Sequence, residues 1–83
     1  MKLLYFAWLK TKTGVAEEDV SPPAEVTTVA ELLTWLTSRG PGYAEALEDL
    51  STIRVAVNQV YARPGDPVGP GDEVALFPPV TGG

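Results

Sequence analysis

Glu73-Val74-Ala75-Leu76-Phe77-Pro78-Pro79-Val80-Thr81-Gly82-Gly83 closes the 83-residue sequence, and its reading decides the architecture. Residues 73–77 have the apolar composition of a strand. Pro78 and Pro79 hold φ at about −65° and lack the N–H that a sheet ladder needs, so regular structure should stop at Phe77. A domain of residues 1–77 is then followed by a tail of residues 78–83. The proline pair favours an extended start to that tail, which lowers the entropy lost when a partner straightens it. Gly82 and Gly83 have no Cβ, so backbone can approach backbone closely. Val80 and Thr81 offer apolar and hydrogen-bonding footholds. Such a tail is expected to enter a partner's active site and present the acyl carbon of Gly83 there. The bland alternative is a floppy terminus, but floppy termini usually run on in Ser, Glu and Lys.

Working outward, Leu3 to Leu9 is continuously apolar and suits a strand buried on both faces. Lys10 to Gly14 reads as a polar connection. Val15 to Ser21, carrying Glu17, Glu18 and Asp19, reads as an edge strand whose charge discourages pairing with other chains. Pro22-Pro23 ends it. A helix should begin at Thr28, where Thr28 and Glu31 have capping-box spacing. Val29, Leu32, Leu33 and Leu36 form its apolar stripe, with Trp35 at the margin. Arg39 suits the negative end of the helix dipole, and Gly40-Pro41 stops the helix. Tyr43, Ala46, Leu47 and Leu50 suggest a shorter helical segment. Ile53 to Val57, a turn at Asn58-Gln59, and Val60 to Ala62 read as a hairpin; Gly- and Pro-rich turns lead to the last strand. The expected class is α+β, a mixed sheet of about five strands with one main helix across one face. First and last strands, both apolar, fit best as parallel central neighbours, a β-grasp arrangement that carries the tail out of the sheet's middle.

Composition removes much chemistry. A chain of this length makes one domain and buries only about 60–65% of the surface its unfolded form exposes. It contains neither cysteine nor histidine. Disulfide frameworks, thiolate metal sites, cysteine nucleophiles, Ser-His-Asp triads and ordinary acid–base work near neutral pH therefore drop out. No metal site is expected. The formal net charge of −5 argues against nucleic acid and anionic lipid as partners, so any ATP must be held by cations of another protein. Met1 to Leu9 superficially resembles a signal sequence, but it is short, is followed by Lys10 and Lys12, and lacks a small-residue cleavage pattern. No apolar run approaches the roughly 18 residues of a membrane span, and the expected compartment is the cytoplasm.

The terminal run Phe77 to Gly83, preceded by Gly71-Asp72-Glu73-Val74-Ala75, resembles the ending of the small subunits of molybdopterin synthase, which are ubiquitin-like sulfur carriers. Phe6-Ala7, Ala46-Leu47-Glu48-Asp49 and Val55-Ala56-Val57-Asn58-Gln59 match at corresponding places. The resemblance covers nearly the whole chain and is weakest from Thr11 to Thr27. It implies that an E1-like adenylating enzyme spends ATP to activate the carboxylate of Gly83. A sulfur donor, acting through a sulfurtransferase, then converts it to a thiocarboxylate. The loaded tail enters the large synthase subunit, where its sulfur builds the molybdopterin dithiolene. The carrier is not catalytic alone and holds no cofactor stably.

On this reading Gly83 reacts, while Gly82, Thr81, Val80, Pro79 and Pro78 thread into the partner. Phe77, Phe6 and Tyr61 are candidates for one apolar docking patch. Core packing is an equal reading for Phe77 and Phe6, and plain surface is the alternative for Tyr61. Trp8, Trp35, Leu32 and Leu36 are assigned to the core. Glu17-Glu18-Asp19 and Glu45-Glu48-Asp49 are read as solvated faces. Three rivals stay open: a carrier for thiamine thiazole synthesis or tRNA thiolation, a ubiquitin-like protein modifier, and an interaction domain with an incidental tail.

Overall fold

The computed structural model describes residues 1–79, and its sheet is organised around the two apolar strands. β1 (Lys2–Tyr5) and β5 (Glu73–Phe77) run parallel, with Leu3 opposite Val74 and Tyr5 opposite Leu76. β2 (Glu17–Asp19) joins the free side of β1 antiparallel. On the other side β3 (Arg54–Val57) pairs antiparallel with β5, and β4 (Val60–Ala62) returns along β3. The strand order is β2-β1-β5-β3-β4, so β5 is the central strand. This is the expected mixed β-grasp sheet, with β2 on the edge where charge placed it.

The main helix, α2 (Val29–Thr37), starts as its spacing predicts. The Thr28 hydroxyl accepts from the Glu31 N–H at 3.2 Å, and the Glu31 carboxylate accepts from the Thr28 N–H at 3.1 Å. That exchange satisfies donors which the first turn would otherwise leave open. Val29, Leu32, Leu33 and Leu36 are buried and join Leu3, Tyr5, Val55, Val74 and Leu76 from the sheet in one core. α2 closes at Thr37, ahead of Gly40-Pro41, with the Ser38 and Arg39 N–H groups donating to the Trp35 and Leu36 carbonyls at 3.1 and 3.0 Å. Pro41 opens α3 (Pro41–Ala46), a position where its missing N–H costs nothing. A 3-10 turn, Leu50–Thr52, leads into β3.

The first strand differs from expectation. It ends at Tyr5, not Leu9, and α1 (Trp8–Thr13) occupies the supposed polar connection. The cause is loss of partners: ladder pairing reaches only Glu17 on one side and Leu76 on the other. Phe6 donates its N–H to the Leu76 carbonyl at 3.1 Å, and Ala7 then leaves the ladder with φ of 55°. Unpaired backbone closes its hydrogen bonds locally, as a helical turn. Gly14, at φ of 85°, ends that turn by donating to the Lys10 carbonyl at 2.9 Å. Leu9 is wholly buried, whereas Trp8 is exposed and does not belong to the core. Nor is β1 buried on both faces, since Lys2 is exposed and Leu4 half-buried. β2 is shorter than the 15–21 span expected, Arg39 falls beyond the last turn of α2, and Trp35 is half-buried against the core.

Candidate functional site

Side chains alternate across a strand, so burial of Leu3, Tyr5, Val74, Leu76 and Val55 sends their neighbours to the opposite, helix-free face. The register sets Leu4 beside Ala75, Ala75 beside Ala56, and Ala56 beside Tyr61. An uncharged strip therefore crosses the outer face. At its upper end Phe77 and Tyr61 pack ring to ring, 5.9 Å between centroids and tilted by 52°.

None of the three docking candidates lies in the buried core. Tyr61 is 71% exposed, Phe6 is 49% exposed and Phe77 is half-buried. Phe6 sits where β1 leaves the sheet, tied by its N–H to the carbonyl of Leu76, while the close ring contact joins Tyr61 and Phe77. Exposed apolar area gathered in this way marks a contact surface more often than scattered single residues do. Pro78 and Pro79 follow Phe77 outside the ladder, half-buried. The remaining tail assignments, Val80, Thr81, Gly82 and Gly83, lie outside the described residues.

The root of the tail is held from both sides by β1 and β3, and it is clipped at its start. Asn58 and Gln59 have φ of 52° and 69°, the two positive values that a type I′ hairpin turn requires. The Asn58 side chain donates to the Asp72 carboxylate at 3.0 Å and accepts from the Glu73 N–H at 3.0 Å. Its backbone N–H reaches the Glu73 carbonyl at 2.7 Å. Hydrogen bonds from Asn58 and from the Gly69 N–H hold the Asp72 carboxyl below its usual range.

One polar constellation was not anticipated. Glu18, read from the sequence as part of a solvated face, turns inward from β2. A single carboxylate oxygen, Oε2, accepts from the Tyr5 hydroxyl, the Tyr43 hydroxyl and Nη1 of Arg39, each at 2.8 Å. The Arg39 guanidinium lies over the Trp35 and Tyr43 rings at 5.3 and 5.1 Å, and Tyr5 meets Tyr43 edge-on at 6.1 Å. Desolvation pushes the Glu18 carboxyl up, but the three hydrogen bonds and the Arg39 charge outweigh it and leave it lowered. Burial first, then the Glu18 carboxylate, pushes the Tyr5 phenol well up, and Tyr43 moves the same way. The cluster binds β1, β2, α3 and the α2–α3 connection together. No local signal could have shown it, because 25 residues separate Glu18 from Tyr43 and 13 separate it from Tyr5.

The other acidic residues behave as expected of surface groups. Glu17 pairs with Lys2 at 3.4 Å and Glu45 with Lys12, while Asp19 and Glu48 are exposed. Asp49 caps the 3-10 turn by accepting from the Ser51 N–H at 3.0 Å. Among the described residues, no group of three or more acidic side chains is placed to hold a metal ion, and no helix is long and apolar enough to cross a membrane.

Comparison with known proteins agrees with this geometry. The ThiS family matches residues 3–83. The molybdopterin synthase sulfur carrier subunit of Escherichia coli (strain K12) is 39% identical over 83 residues, spanning 100% of this chain and 99% of that protein. A putative molybdopterin converting factor, subunit 1, from Pyrococcus furiosus superposes with a TM-score of 0.79 at 30% identity over 95% of each chain. Small archaeal modifier protein 1 of H. volcanii superposes with a TM-score of 0.75 at 31% identity, over 96% of this chain and 97% of that one.

Proposed function

The chain belongs to the ThiS family, and from that premise we propose that it is the sulfur-carrier subunit of a molybdopterin synthase, working in the cytoplasm. The observation that carries this reading is the full-length likeness to the E. coli subunit. The geometry of the tail root supports it: a central strand, paired on both sides, runs into Phe77-Pro78-Pro79 beside an exposed aromatic pair.

The chemistry follows from the terminal group. A carboxylate is a poor electrophile because its charge is shared by two oxygens. An E1-like partner, supplying its own cations, lets a Gly83 carboxylate oxygen attack the α-phosphorus of ATP with loss of pyrophosphate. Sulfur at the sulfide level, released through a sulfurtransferase, then attacks the acyl carbon, AMP leaves as the acyl–oxygen bond breaks, and a thiocarboxylate remains. Inside the large subunit that sulfur is a soft nucleophile held at one point, and confinement of this kind yields large effective molarities. Two sulfurs in a dithiolene require two loaded carriers. Gly82 keeps the approach narrow, Val80 and Thr81 grip the channel wall, and Phe77, Tyr61 and Phe6 supply apolar contact at its entrance.

The test is to incubate the chain with ATP, the adenylating partner and a sulfur donor, and to weigh it intact. A terminal oxygen-to-sulfur exchange is expected; an unaltered mass overturns the reading. Gly82→Ile should abolish loading while leaving the melting temperature unchanged, and normal sulfur transfer by that variant removes the narrow-passage role. The likeness to small archaeal modifier protein 1 favours a second reading as a protein modifier. Covalent conjugates in cell extracts, lost on removal of residues 82–83, are its signature.

A further inference from the structure

A groove of about 320 Å³ runs between α2 and the β3–β4 hairpin, and the carrier chemistry makes no use of it. Leu33, Ile53 and Val55 line it with buried apolar side chains, and Leu50, 51% exposed, stands beside it. Arg54 and Arg63 also line it, both exposed. Cations are scarce in this chain, which has six Lys and Arg against eleven Asp and Glu. Three of the six, Lys2, Lys12 and Arg39, are spent on internal ion pairs. Among the described residues, Lys10, Arg54 and Arg63 make none, and of these the two arginines line this groove. The nearby Asp66 carboxylate accepts from the Arg63 backbone N–H at 2.8 Å.

The groove is continuous with the tail root. Arg54 stands opposite Phe77 in the β3–β5 ladder, and it lines an adjoining recess with Val55, Tyr61 and Ala62. We propose that the groove receives a segment of a tail-receiving partner protein in which an apolar side chain is flanked by carboxylates. This inference rests on the sulfur-carrier reading and adds the chemistry by which the partner is recognised. A guanidinium presents a planar fork that matches a carboxylate, so two of them beside an apolar floor fix both contact and register. Complementary charge of this kind steers encounter and orients the docked pair more than it adds affinity. For a chain of net charge −5, an acidic partner surface would otherwise be repelled. The two arginines convert that repulsion to attraction at the one end of the sheet from which the tail departs.

The experiment titrates the full chain against the adenylating enzyme and, separately, the large subunit, at low and high salt. The variants are Arg54→Glu/Arg63→Glu, Arg54→Lys/Arg63→Lys and Leu50→Glu. Charge reversal should weaken binding to at least one partner by roughly tenfold and flatten its salt dependence. The lysine pair should keep the salt dependence while binding more weakly than the arginines, because it lacks the fork. Leu50→Glu, at an exposed position, should weaken the same partner and covers the case in which charge reversal impairs folding. Affinities within about twofold of wild type for both partners, from folded variants, overturn the proposal. So does a concentration-dependent dimer that the reversal abolishes, which would make a second copy the occupant. Movement of the Leu33 and Leu50 NMR signals on deletion of residues 80–83 also overturns it, by assigning the groove to the chain's own tail. Failure of the carrier reading is separately visible, as absence of the oxygen-to-sulfur mass change.

Discussion

β2 and β4 are the two edges of one sheet, each three residues long, and they are treated in opposite ways. The β2 edge sends Glu18 inward, where one oxygen serves two tyrosines and an arginine. The β4 edge leaves Val60 and Tyr61 largely in solvent, with Arg54 and Arg63 beside them making no ion pair among the described residues. A satisfied polar network stiffens what it joins and offers a visitor nothing. An edge with unspent aromatic area and unspent cations offers both. The two edges thus divide into one spent on holding the fold together and one whose aromatic ring and arginines are left in solvent.

The division can be broken from the self-holding side first. Glu18→Ala strands two hydroxyls and a guanidinium, and the expected loss is about 2–3 kcal/mol of unfolding free energy, read by urea titration, with partner affinity unchanged. A variant as stable as wild type would mean that the cluster is ornamental. Its pH dependence has a definite sign. The Glu18 carboxyl is lowered by folding, so its contribution is complete above the ordinary 4.5 and is lost as pH falls through the lower folded value. Tyr5 and Tyr43 are raised, so theirs is complete below 10.0 and is lost as pH climbs through the folded values. Stability should be level between those limits, and Glu18→Gln should flatten the acid limb; an unchanged limb assigns it to other carboxylates.

Next in size is Gly42→Ala. Gly42 lies where α3 touches α1, and a Cβ there would collide with the Lys12 backbone carbonyl. Backbone cannot rotate aside as a side chain can, so a loss of about 1–2 kcal/mol is expected by thermal melting. A neutral result would show that α1 and α3 slide freely, and the self-holding side would be less rigid than drawn. The smallest effect belongs to the other edge. Tyr61→Ala should leave stability within about 0.5 kcal/mol, because the ring is solvent-facing. Affinity for the large subunit should nevertheless fall roughly tenfold, measured by calorimetry. If stability falls and affinity does not, Tyr61 belongs with the self-holding side.

What the sequence revealed and what it hid follow from range. The Thr28–Glu31 exchange spans three residues, so the start of α2 was legible. Phe77-Pro78-Pro79 announced the end of β5 because proline acts on its own backbone. The parallel pairing of β1 with β5 at the centre of the sheet was legible from two apolar strands that fit best as neighbours. Leu3 to Leu9 misled because apolarity alone does not say whether a residue is paired in a ladder or, like Leu9, buried from a helix. The tail root was half legible: the aromatic types were visible, but the Tyr61–Phe77 contact depends on register between β3, β4 and β5. Glu18 was misread because its partners lie on separate elements, and only the fold brings them together.

The two-sided pairing of β5 has a mechanical consequence. Tension applied at Pro79 runs along the strand axis and loads the bonds to β1 and β3 side-on and together, so the strand cannot be peeled away one bond at a time. Under the proposed function, in which the tail enters and leaves a partner's channel, the carrier is thereby tethered through a strand bonded on both sides.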